Sequence, residues 1–226
     1  MSVLNKETDN NNPVYDLARF VVRTTYDELP DLAIEKAKTF ILDSIGVGVA
    51  GSNGPWVKKL IETVQGWGSE NQARILVHGN HLPAASAAIV NAYQIHCLEY
   101  DCVSEGAVLH PMATIMGAVI AEIESRRVIS GKDLILAVVV GVDASCVLGL
   151  SSRSPMRFFR PSTAGAFGAT TAIAKLRGFN VATLVNAYGA TYGQISGTLQ
   201  PHREGSPVLG MQIGFCARGA LAACDL

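Results

Sequence analysis

The chain has 226 residues, 49% hydrophobic and only 16% charged, with 18 Lys and Arg set against 19 Asp and Glu. That length and apolar content are enough for one or two domains with a buried core. A net charge of -1 excludes the basic field on which non-specific nucleic-acid binding depends, so nucleic acid is not an expected partner. The N-terminal stretch MSVLNKETDNNNPV is polar rather than apolar. It reads as a disordered tail over residues 1–12 and not as a signal peptide, and a cytoplasmic location is expected.

From there the chain reads as helix almost throughout. Residues 13–24 place Val14, Leu17, Ala18, Val21 and Val22 on one face at helical spacing. A second helix starts at Leu29-Pro30-Asp31, with Ile34, Ala37, Phe40, Ile41 and Ile45 as its stripe and the glycines at 46, 48, 51 and 54 fraying its end. A third covers residues 55–67. Residues 73–78 form a short β-branched stretch that suits a small strand or an extended connector. Further helices are predicted at 82–103, 112–126, 132–150, 162–176, 181–196 and 208–226. The fold class is therefore all-α: a compact multi-helix bundle over residues 13–226 with at most one short strand.

Two features of these helices narrow the function. The segment DLILAVVVGVDASCVLGL is interrupted by Asp133 and Asp143, and its apolar run falls short of the roughly 20 residues of a membrane span. A buried helix is expected, and no membrane partner. Gly and Ala recur in runs such as GAFGA, whose glycines suit close helix approach rather than phosphate binding. No GxGxxG or GxxxxGK[ST] motif occurs, which argues against a dinucleotide fold or P-loop. The five cysteines (Cys97, Cys102, Cys146, Cys216, Cys224) lack CxxC spacing and are expected as free thiols.

Residues 91–111, NAYQIHCLEYDCVSEGAVLHP, concentrate the titratable groups. Such groups are costly to bury unless paired. A helix carrying His96, Glu99 and Asp101 and running into a loop that ends at His110-Pro111 is thus the candidate site. His96 reads equally well as a hydrogen-bonded core histidine, and Asp101 as a cap or ion-pair partner. His78 and His81 read as surface groups. The histidines show neither facial-triad nor HExxH spacing, so no metal site is expected.

Three segments in this order, NAYQIHCLEYD followed by LHP, then RPSTAGAFGATTAIAKLRGF, then EGSPVLGMQIGFCARGALAA, resemble the landmarks of the MmgE/PrpD family. That family includes 2-methylcitrate dehydratase, cis-aconitate decarboxylase and iminodisuccinate epimerase. The resemblance implies an N-terminal helical domain, metal-independent and cofactor-free chemistry, homodimers built through helical surfaces, and a further α/β lid domain that this chain does not include. It places Glu99 in the pocket and His110 as the acid/base, with His96 and Asp101 opening the motif. It also implies a histidine where Phe159 stands and a lysine where Leu209 stands.

Proton transfer beside a carboxylate suits His110, whose unperturbed pKa near about 6.5 serves either direction at neutral pH. Glu99 is expected to orient His110 or act as base. Arg160 and Arg203, whose guanidinium groups fork onto carboxylates, are expected to anchor substrate together with His96 and Asp101. The leading expectation is metal-independent dehydration of a small polycarboxylate such as 2-methylcitrate. The alternatives are decarboxylation or epimerisation of a related acid, or a catalytically silent helical domain acting as a dimerisation or binding scaffold.

Overall fold

The computed structural model describes residues 12–126, 129–153 and 156–226. Most of the tail expected over residues 1–12 lies outside the described residues. Its last residue, Asn12, caps α1 (Pro13–Arg23) by accepting the Val14 N–H at 3.1 Å, with Pro13 in the first turn where a missing N–H costs nothing. The buried side of α1, Ala18 and Val21, packs with Val140, Ala174, Leu184 and Tyr188.

The second helix, α2 (Asp31–Ala50), runs straight through Gly46 and Gly48, so those glycines do not fray it. Its packing face also differs from the predicted stripe. Ala37, Ser44, Val47 and Gly48 are buried, whereas Phe40 and Ile45 are exposed together with Leu32, Leu42 and Val49. The cause is close approach: a Cβ on Gly48 would lie 3.0 Å from Ile95 Cγ1, so the small residues face the neighbouring helix and the bulky ones turn outward. A 3-10 turn, Gly51–Asn53, leads to α3 (Val57–Gln65).

The expectation of at most one strand is corrected to a small antiparallel hairpin. In it β1 (Ala73–Arg74) pairs with β2 (His81–Leu82), Ala73 opposite Leu82. Two residues are too short to leave a period in the sequence. The hairpin is held from outside: Asn91 accepts the Leu76 N–H and donates to Arg74 O, both at 2.9 Å. His78 and His81 are exposed there, as expected of surface groups.

Four helices form the centre: α4 (Ala84–His96), α5 (Pro111–Arg126), α7 (Arg160–Arg177) and α10 (Val208–Asp225). The helix predicted over residues 82–103 stops at His96. Cys97 caps its end, and Glu99 takes a left-handed backbone with φ +49. Outside this centre, α6 (Gly131–Ser151) packs on α7, and α8 (Val181–Tyr192) lies against α1 and α7. By length and composition α6 would suffice to cross a membrane, but Asp143 and the buried face it presents to α7 belong to a packed bundle. A five-residue helix, α9 (Gln200–Glu204), had no predicted counterpart; Pro201 opens it and Gly205, at φ +63, ends it.

The Gly/Ala texture sets the interhelical spacing. A Cβ on Gly117 of α5 would lie 2.7 Å from the Ala92 Cα and N of α4. One on Gly141 of α6 would lie 2.8 Å from Gly168 O of α7. Gly117→Ala is therefore expected to lower stability by about 2 kcal/mol, read as an earlier urea midpoint. An unchanged midpoint would contradict the α4–α5 spacing.

Candidate active site

The loop between α4 and α5 folds back because its polar groups find each other. Asp101 is buried, and its carboxylate accepts from His96 Nδ1 at 3.1 and 3.2 Å. His110 Nδ1 lies 3.1 Å from the Asp101 backbone oxygen and 3.4 Å from Oδ1. A carboxylate only accepts, so both Nδ1 atoms carry the proton and both Nε2 atoms are left for other partners. The two rings meet edge-on, 5.2 Å apart, and the Phe159 ring sits 5.9 Å from His96 on another side.

The electrostatics follow from this clustering. Burial pushes the Asp101 carboxyl up, but the hydrogen bonds from His110 and His96 outweigh it and hold the group down at about 2. The bond to Asp101 raises His110 above the usual histidine range against its partial burial, and the nearby Glu99 charge adds to the rise. Burial pushes the thiols of Cys97 and Cys102 up to about 11 and about 12. Neither is a thiolate nucleophile at neutral pH. All five cysteines are free.

Among the described residues, His96, Asp101 and His110 form a set able to hold a metal ion, their ligand atoms lying within 4.8 Å of one another. Two histidines and a carboxylate are a suitable donor set. The same Nδ1 and carboxylate atoms are here engaged with each other at hydrogen-bond distance.

Beside this cluster lies a cavity of about 110 Å³ walled by Tyr93, His96, Glu99, Ser206 and Leu209 among others. The structure thus brings His96, Glu99, Asp101 and His110 together. It does not bring Arg160 to them. The Arg160 guanidinium donates to Ala107 O at 3.3 Å and Ser152 Oγ at 3.2 Å, beside a separate cavity of about 320 Å³. Arg203 is exposed on α9, one turn from the Gly205 and Ser206 that line the smaller cavity. Phe159 and Leu209, both buried, place apolar surface where a histidine and a lysine were expected. Sequence reasoning missed Tyr93, which precedes His96 by three residues on the same helical face, a spacing that identifies it in retrospect.

Comparison with known proteins agrees with this architecture. The profile of the MmgE/PrpD N-terminal domain matches residues 15–226. The chain belongs to the MmgE/PrpD family. Among its relatives, the cis-aconitate decarboxylase-like protein oryM of Aspergillus oryzae is 28% identical, over 96% of this chain and 48% of that protein. Cis-aconitate decarboxylase of Aspergillus terreus is 29% identical over 86% of this chain and 41% of its own length, and that of Mus musculus 29% over 69% and 33%. The chain spans about half or less of the length of these curated relatives.

In this family member the Asp101 cluster should be visible in stability. Asp101 has a depressed pKa, so its contribution is present above about pH 4 and lost as pH falls toward about 2. His110 has a raised pKa, so its contribution is full below about pH 6.5 and lost as pH rises through its folded value. Asp101→Asn is expected to cost about 2 kcal/mol between about pH 4 and 6.5, with the difference narrowing on both sides. Urea unfolding across pH measures this, and a pH-independent difference would contradict it.

Proposed function

We propose that this domain carries the proton-transfer groups of a metal-independent lyase acting on a small polycarboxylate, with dehydration of a hydroxy acid such as 2-methylcitrate as its reaction. One observation carries the reading: His110 is fastened through Nδ1 to Asp101, which leaves Nε2 available, and stands close enough to Glu99 to feel its charge. Dehydration needs one group to remove a carbon-bound proton and another to protonate the departing hydroxyl. The two tasks fall to Glu99 as base and His110 as acid, because the hydrogen bond to Asp101 favours the protonated form of His110 while Glu99 is exposed beside it. His96 and Asp101 orient the cluster. Arg203, exposed two residues before the cavity-lining Gly205, is the cation for a substrate carboxylate, and Arg160 is not assigned to it. The relatives named as cis-aconitate decarboxylases support lyase chemistry on such acids. Decarboxylation needs only the acid of this pair and is the competing outcome.

The test is an assay of the longest gene product containing this chain against 2-methylcitrate, citrate and cis-aconitate, with and without a chelator. Hydroxy-acid turnover should survive chelation, and His110→Asn should lower kcat by roughly 10²-fold or more with the fold intact. Activity retained in His110→Asn, activity lost on chelation, or decarboxylation of cis-aconitate alone would each overturn the reading. Absence of any turnover would favour a binding scaffold.

A further inference from the structure

His96 has one ring nitrogen accounted for and one not. Its Nδ1 is held by Asp101, while Nε2 is fully buried and has no hydrogen-bond partner. The ring, 1% exposed, lines the cavity of about 110 Å³. None of its neighbours supplies the missing partner. The Tyr93 hydroxyl donates to Pro55 O, the Cys97 thiol approaches Gly51 O, and Ser206 Oγ accepts the Val208 N–H at 3.3 Å. Phe159 and Leu209 are apolar. A buried polar atom left unmet is costly and is rare in a folded protein unless something outside the chain satisfies it.

The nature of that partner follows from the tautomer. Asp101 accepts but does not donate, so Nδ1 carries a proton, and the tautomer this selects presents a lone pair at Nε2. An unmet lone pair in such a cavity discriminates: it gains from a ligand that donates a hydrogen bond and gains nothing from an unsaturated or deoxy analogue of the same shape. We propose that His96 Nε2 is the acceptor for a hydroxyl of the bound acid, making His96 a specificity-determining residue that selects hydroxy acids over analogues lacking the hydroxyl. This rests on the lyase reading above and narrows it, because cis-aconitate has no hydroxyl to offer.

The experiment compares binding of citrate and tricarballylate, which differ by that one hydroxyl, by calorimetry on the same gene product. The wild-type protein should prefer citrate by about tenfold or more. His96→Asn places an amide nitrogen where Nδ1 donates to Asp101 and removes the Nε2 acceptor; it should keep its melting temperature and abolish the preference. His96→Gln restores an acceptor near the Nε2 position and should recover part of it. A preference unchanged in His96→Asn, equal binding of both acids by the wild type, or binding of neither at millimolar concentration would overturn the proposal. Its failure is separable from that of the lyase reading: His110→Asn should abolish turnover while leaving the citrate preference in place, and a preference without turnover would refute only the lyase.

Discussion

A single buried carboxylate, Asp101, organises the functional end of this bundle. An isolated charge in that position would be expelled or neutralised, since burial alone raises a carboxyl pKa. Two imidazoles prevent this, one delivered by the last residue of α4 and the other by the residue before α5. The demand for both partners explains the path of the chain. The helix ends at His96, Glu99 takes a left-handed backbone, and a Ser104–Leu109 bridge closes the loop so that His110 returns to within reach of Asp101. The central helices supply the rigid frame, packed at distances that only Gly and Ala allow.

The frame and the cluster have different consequences for chemistry. The cluster fixes which ring nitrogen of each histidine faces outward, a condition for any directed proton transfer. The surrounding wall decides what enters. With Phe159 against His96 and Leu209 lining the cavity, the polar groups that wall it are Tyr93, His96, Glu99 and Ser206 of the loop after α9.

Much of this was legible in the sequence, and the misses have physical causes. The helices at 112–126, 132–150 and 162–176 were readable because long amphipathic or apolar runs leave a clear period, and α1 was readable from its apolar face. The stripe of α2 was misread because apolar spacing rewards bulky residues, whereas the actual contact face was chosen for smallness at Gly48 and Ser44. The end of α4 was placed seven residues too late (103 − 96 = 7) because the break comes from side-chain bonds between His96, Asp101 and His110, which propensity cannot register. The grouping of those residues with Glu99 was anticipated from their density in one segment. Arg160 was misplaced because its guanidinium is drawn to the backbone oxygen of Ala107, a partner 53 residues away that only the folded chain provides.

The direct measurement of this arrangement is the protonation pattern of the two imidazoles, read by long-range nitrogen–proton correlation spectra of the protein at a pH above the His110 titration. If Asp101 holds both rings as described, His96 and His110 each carry the proton on Nδ1, and both signals change together in Asp101→Asn. A ring protonated on Nε2 instead, or two histidines indifferent to the loss of the carboxylate, would contradict the role given to Asp101.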